Sequence, residues 1–426
     1  MKRKILFVGE TITPIIEIMG CHQKNHKGTP KNSKIQVLVY SVLIIIMGLI
    51  ISCGQETSQD GTPIIDFSRI EVDSNKLLLS DFCKTIQYFT LETNDSCLIS
   101  EIHDVHFTDS LIIVFDIYLG VVRSFSKDGK FIKDLHLHRD IVGDSSRIHQ
   151  VYYDSHNDIV TLYTNGRKIH RYSGDGNYLN SAGFDTIIPF YVYPIKDKYL
   201  LYFPYPRSLG FGNYSFGIVN KSLEVIKQFG YRKLTWTPQE SDIVYFPVSY
   251  NFHDTLCFWN LYCDTVFGIV ADNIFLRYVL RNSKPLSSKK NYYRVKTGKY
   301  RVGRLIYKFF ESREYLFIES SLNRKRNYLI YDKKKMTASL VKSGNASDPD
   351  AIKNNVDYGV PFWPDKCIGD TLMMYVSSER MINYLDNVKD ADVLANKNFK
   401  LLQDKLSKIN IQNNPLIMLI EGKDEL

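Results

Sequence analysis

The chain lacks every short signature that would announce chemistry. No G-x-S-x-G nucleophile elbow, no P-loop and no G-x-G-x-x-G dinucleotide fingerprint occurs in it, so no cofactor is expected. Aspartate and glutamate are spread without a distinguishing context, and no carboxylate pair for glycoside hydrolysis can be picked out. Cysteine is sparse, seven residues at 21, 53, 83, 97, 257, 263 and 367, with no C-x-x-C pair and no zinc spacing. Cys257 and Cys263 flank a hairpin and could pair in an oxidising compartment. Concentrated charge is missing too. The formal net charge is +8, but the basic residues are scattered, and the stretches Arg324–Arg326 and Lys333–Lys335 read as solvated hairpin ends on either side of an apolar strand. A nucleic-acid partner, which wants basic charge gathered on one face, is not expected.

Long apolar runs are almost absent, and the one exception gives the chain an address. Residues 35–51, IQVLVYSVLIIIMGLII, follow Lys24, Lys27, Lys31 and Lys34, the order of a secretory signal. The run ends in Ile50-Ile51-Ser52-Cys53-Gly54, which fits a bacterial lipobox and marks Cys53 as the lipidation site. Acyl chains on Cys53 would hold the protein to a membrane at roughly 0.8 kcal/mol per buried CH₂. The other reading is a signal-anchor helix, since this run approaches the ~20 apolar residues that span a bilayer. Residues 1–20 precede any ordinary signal, so the true start lies further in or the basic region is long. The tail Lys423-Asp424-Glu425-Leu426 is an ER-retention tetrapeptide, which conflicts with a lipobox and is read as coincidence. The expected division is a signal with lipobox over 1–53, a polar tether over 54–82, and one folded domain over 83–426.

Aromatic residues are abundant, 13% of the chain with 29 Tyr and 24 Phe, and that composition favours pleated sheet. A repeat supports it. VVRSFSKDGKFI (121–132) and KIHRYSGDGNYL (168–179) are hairpins whose Asp-Gly supplies a positive-φ turn. Weaker copies are FGIVNKSLEVI (216–226), VFGIVADNIFL (266–276) and YLIYDKKKMTASL (328–340). Near-continuous apolar strands begin at Asp109, Asp158, Asp197, Asp254, Glu314 and Asp370, as expected of strands buried on both faces. A buried strand plus an outer hairpin about every 50 residues is the pattern of a propeller blade. The expected fold is all-β, a six-bladed β-propeller with one helix at about 393–409. TIQYFTLET (85–93) and a strand at about 415–422 are the candidates that close the ring.

The residues YFTLETNDSCLISEIHDVHFTDSLIIVFD (88–116), FSKDGKFIKDL (125–135), YSGDGNYL (172–179), DTLCFWNLYCDTVFGIVADNIFLRYVL (254–280), VDYGVPFWPDKCIGDTLMMYV (356–376) and KLSKINIQNNPLIMLIEGK (405–423) carry a resemblance. In order and spacing they resemble the six-bladed β-propeller lipoproteins of Bacteroidetes, which are similar in look to NHL-repeat propellers. The resemblance implies a propeller on an outer-membrane lipoprotein, periplasmic or surface-facing, and brings no settled activity with it. Segment 136–154 departs from the group's pattern by lacking the Gly-Pro-Gly turn that often follows the first hairpin, which puts that loop's ligand contacts in doubt.

Candidate site residues are few. His136 and His138 alternate on one strand face and, with His149, could form a metal site, though exposed polar strand positions explain them equally. His103 and His106 carry the same ambiguity. Tyr205, Arg207 and Trp363 stand in Pro-shaped aromatic segments that either stack on a ligand or cover blade ends. Ser126–Gly129 and Ser173–Gly176 lack the spacer and the Trp of a sialidase turn motif. The expected function is a binding or interaction module at the bacterial envelope, its ligand a protein or glycan at the channel mouth. The alternatives are a propeller-type hydrolase or lyase acting on glycans or peptides, and a structural component of an outer-membrane complex.

Overall fold

A computed structural model describes residues 61–71, 77–135, 147–164, 167–184, 187–203, 214–231, 248–259, 264–271, 273–281, 304–322, 325–344 and 352–422. Cys53, His136, His138, Tyr205, Arg207, Cys263 and the C-terminal tetrapeptide lie outside these residues.

Three short strands come first, β1 (Ile64–Asp66), β2 (Ile70–Glu71) and β3 (Ile86–Phe89). Then antiparallel runs of four begin. β4 (Ile102–Phe107), β5 (Leu111–Asp116), β6 (Val121–Ser126) and β7 (Phe131–Asp134) form the first. β8 (Ile148–Asp154), β9 (Ile159–Thr164), β10 (Lys168–Ser173) and β11 (Tyr178–Gly183) form the second. The third is β12 (Tyr191–Ile195), β13 (Lys198–Tyr202), β14 (Tyr214–Asn220) and β15 (Val225–Tyr231). β16 (Val248–Phe252), β17 (Thr255–Trp259), β18 (Thr265–Val270) and β19 (Asn273–Arg281) follow, and then β20 (Arg304–Glu311), β21 (Tyr315–Leu322), β22 (Lys325–Asp332) and β23 (Thr337–Gly344). The last run is β24 (Lys366–Ile368), β25 (Thr371–Val376) and β26 (Leu416–Glu421), with β3 as its outer strand.

The turn chemistry that ends the third strand of a run is visible in the sequence. Ser126 N donates to Lys130 O (2.8 Å), Gly129 N donates to Ser126 O (2.9 Å), and the Ser126 hydroxyl donates to Asp128. Gly129 sits at φ +85°, and a Cβ there would lie 2.0 Å from Thr90 O, so the position needs glycine for both backbone and space. Ser173, Asp175 and Gly176 repeat the arrangement, Gly176 at φ +79°. The second strand of each run is the apolar one: all six residues of β5 are buried, as are the last four of β13 and β17. At roughly 1.5–3 kcal/mol per fully buried large side chain, these strands carry much of the driving force.

Burial on both faces works because each run packs on the next. Ile113 and Phe115 meet Val151 and Leu162; Tyr163 and Ile169 meet Val192 and Leu201; Tyr193 and Leu200 meet Leu256 and Phe258. Cys257 and Trp259 meet Ile318 and Leu329, and Phe317 meets Met374. The circuit closes where Met373, Ile417 and Leu419 meet Val105, Ile112 and Val114. The chain is therefore an all-β, propeller-like fold whose last run packs on its first.

Several expectations need correcting. The hydrogen-bonded sheets among the described residues number five, not six. A parallel contact of β16 with β24, Asn251 opposite Ile368, fuses two runs into one nine-stranded sheet. The tether expected over 54–82 is cut short, because β1 pairs with β19 and β2 with β23 as added outer strands. The C-terminal helical region expected at about 393–409 is present but broken at Asn396, so that α1 (Ser378–Asp386) precedes α2 (Ala391–Ala395) and α3 (Lys397–Leu406). Their side-chain caps divide them: Ser377 accepts from Arg380 N, Asp390 from Asp392 N and Asn396 from Asn398 N. Phe399, Leu402 and Leu406 bury the one-sided stripe of α3. The two expected closing strands do pair, Met418 opposite Tyr88, with β26 between β25 and β3.

Candidate functional site

The first strands of the runs, β4, β8, β12, β16, β20 and β24, surround the axis of the fold, and polar side chains gather where they meet. Asp104 on β4 receives the ammonium of Lys366 from β24, and its second oxygen lies 3.1 Å from His106 Nε2. Lys366 Nζ also donates to Val105 O (2.7 Å), and His106 Nε2 lies 3.2 Å from Val151 O on β8. One cluster thus links the last, first and second runs. Burial opposes the charge on Asp104, but Lys366 and His106 outweigh it and hold the carboxyl well below the usual carboxylate range.

Beside it, Lys308 Nζ on β20 lies 3.2 Å from Asp365 Oδ1, and Asp365 Oδ2 accepts from Tyr375 N (2.9 Å). The Lys308 and Asp365 side chains keep 42% and 31% of their surface open, in contrast to 18% for Lys366. On the second and third runs Gln150 accepts from Val192 N (2.9 Å) and donates to Tyr152 Oη (2.7 Å), and Tyr152 meets Tyr193 edge-on at 5.4 Å. Near the starts of β4 and β8 stand His103 and His149. Burial lowers the affinity of both for a proton, and the charges of His103 and Arg147 add to it for His149. The His149 ring is enclosed by Phe190 (5.6 Å), Tyr191 (5.1 Å) and Tyr163 (6.3 Å).

Of the residues proposed from sequence, His149 is half-buried in this aromatic setting, and no group of three His, Cys, Asp or Glu ligands gathers among the described residues. Trp363 is a core residue, 6% exposed and packed on Tyr328 (4.7 Å) and Phe317 (5.8 Å), which turns its ring away from solvent. Cys97, Cys257 and Cys367 are buried free thiols. Asp104, Lys308, Asp365 and Lys366 were not singled out, since no local pattern joins residues some 260 positions apart.

A second polar cluster lies between the fourth and fifth runs. Glu311, fully buried, accepts from Arg277 Nε (2.7 Å) and Nη2 (2.8 Å), Tyr278 Oη (2.7 Å), Tyr250 Oη (3.0 Å) and Lys333 Nζ (2.5 Å). Burial raises its carboxyl, yet Arg277 and Lys333 win and hold it below its ordinary value. With every oxygen occupied, this cluster fastens the two runs and leaves no acceptor for a ligand.

No curated protein matches the chain. Among solved structures, a Bacteroides fragilis protein named as exported by inference is similar at 14% identity and a TM-score of 0.62, covering 85% of this chain and 100% of that one. At that identity the likeness shows the fold alone. A member of the DUF4221 family from Bacteroides vulgatus aligns at 9% identity and a TM-score of 0.43, over 80% of this chain and 98% of its own. A Bacteroides thetaiotaomicron protein of unknown function aligns at 10% identity and 0.40, over 79% and 76%. Residues 62–421 match the family described as Domain of unknown function (DUF4934), and the chain belongs to that family.

Proposed function

We propose that the chain is a non-enzymatic binding module of the bacterial envelope, a six-bladed propeller held to the outer membrane by a lipid on Cys53. The blade count is supported by the six consecutive runs, of which the fourth and sixth share one sheet through a single parallel contact. The observation that carries the binding role is the contrast within the axial cluster. Asp104, His106 and Lys366 satisfy one another, whereas Lys308, Asp365 and the half-buried His149 beside Phe190 and Tyr191 keep open surface. A cation, a carboxylate and aromatic faces at the meeting point of the runs suit a polar ligand with an apolar face, a glycan or a peptide.

The test is a glycan array and a pull-down from envelope extracts using wild type and Lys308→Ala. A ligand held by wild type and lost by the variant supports the reading; equal binding sinks the axial site. Labelling with a clickable fatty acid, wild type against Cys53→Ala, tests the anchor, and equal labelling would remove it.

A further inference from the structure

The first strands of three runs carry an extra residue at the same place. Ile102 opposes Asp116 and Asp104 opposes Phe115, which leaves His103 outside the ladder as a β-bulge. His149, between Ile148 and Gln150, and Tyr307, between Ile306 and Lys308, are bulged in the same way. Each stands five residues before the hairpin end of its strand, at Thr108, Asp154 and Ser312. The described ladders of β12 and β16 with their second strands run without such a residue, so the fold itself does not require it. A bulge re-aims a side chain, and these three set a ring at the end of the axis where β4, β8 and β20 begin. His103 is exposed, Tyr307 is 38% exposed and His149 is half-buried.

We propose that His103, His149 and Tyr307 form the ligand-contacting rim of the axial site, and that the ligand is an acidic glycan whose sugar carboxylate meets the two imidazoles. The inference rests on the axial binding role proposed above and names its ligand class. An extended peptide is disfavoured because Val105 O, Val151 O and Val192 N on the first strands are already taken by Lys366, His106 and Gln150. Rings with open surface, Tyr307 and the half-buried Phe190, suit the C–H faces of a sugar. The charges favour an acidic one. Glu101, Asp104, Lys308 and Lys366 act on His103, and His103 and Arg147 act on His149, which also bonds the Phe190 backbone. With Asp365 held by Lys308, the carboxylates and the fixed cations balance, so a proton on either imidazole is an excess positive charge. The protein around both rings disfavours that proton. A carboxylate carried in by the ligand supplies the missing counter-charge, and its binding draws protons onto the imidazoles.

The test is an array of uronate- and sialate-terminated oligosaccharides printed beside their neutral methyl esters, probed with the full chain in detergent. Wild type should hold at least one acid about tenfold more tightly than its ester, the worth of one charged hydrogen bond. That preference should grow at least about threefold between pH 7.5 and pH 5.5, as the imidazoles gain protons. His103→Gln with His149→Gln should abolish both the preference and its pH dependence while keeping the circular dichroism spectrum. Tyr307→Ala should weaken acid and ester alike. An array without any preference for acid over ester overturns the inference, as does a preference that ignores pH in wild type or survives in the folded double variant. A neutral glycan or a peptide that is held by wild type and lost by Lys308→Ala overturns this inference and leaves the axial binding role standing.

Discussion

Glu311 shows how a single buried charge is made tolerable at the residue scale. Taken out of water alone it would neutralise, but five donors surround it, two of them from the Arg277 guanidinium. Glu311→Ala strands Arg277 and Lys333 and should lower unfolding free energy by about 3–5 kcal/mol. Arg281→Ala, whose partner Asp66 it meets at 3.6 Å with 43% of its side chain open, should cost less than about 1 kcal/mol. Urea titration of both variants separates the two; comparable losses would refute the assignment. Glycine makes a second contrast. Gly61 and Gly129 have φ of +84° and +85°, but among the described residues only Gly129 has a neighbour within 4 Å of a built Cβ, Thr90 O at 2.0 Å. Alanine at Gly61 should cost the left-handed strain alone, about 1–2 kcal/mol, and alanine at Gly129 clearly more.

At the scale of elements, the join between the two ends of the domain hangs on Asn414. Its side chain accepts from Ile99 N (2.7 Å) and donates to Glu92 O (2.7 Å) and Cys97 O (2.9 Å), and its own N–H donates to Thr93 Oγ1 (2.8 Å). These bonds fix the segment after β3 beside the strand β26 that closes the circuit. Asn414→Ala removes three of them and leaves buried backbone groups without partners, for an expected loss of about 3 kcal/mol in denaturant. A loss under about 1 kcal/mol would show that strand pairing of β26 with β3 suffices.

For the whole molecule the expectation concerns pH. His103 and His149 have lowered proton affinity when folded, so their neutral forms favour the native state fully above about pH 6.5, the unfolded value. Below it the unfolded chain binds protons that the folded chain resists, and stability falls. Asp104 and Glu311, held low by their cations, support the fold above about pH 4 and withdraw that support as pH drops further toward their folded values. Melting temperature should therefore decline in two stages, one starting near pH 6.5 and one near pH 4. His103→Gln with His149→Gln should remove the first stage only.

How much of this was legible in the sequence depends on the range of the interaction that decides it. The Asp-Gly hairpins, the apolar second strands and the strand character of 85–93 and 415–422 are written locally, because alternation and turn residues act within a few positions. The first strands were not legible. IHDVHF at 102–107 interleaves polar residues with apolar ones, and its Asp and His find their compensation only from Lys366 and Val151 O. Trp363 was equally opaque, since an aromatic between prolines looks the same whether it meets a ligand or a core. The sequence alone determined that the chain is repeated β structure. Tertiary structure alone decided which charges meet at the axis, which edges are covered, and where two runs fuse into one sheet, because those outcomes rest on contacts between residues hundreds of positions apart.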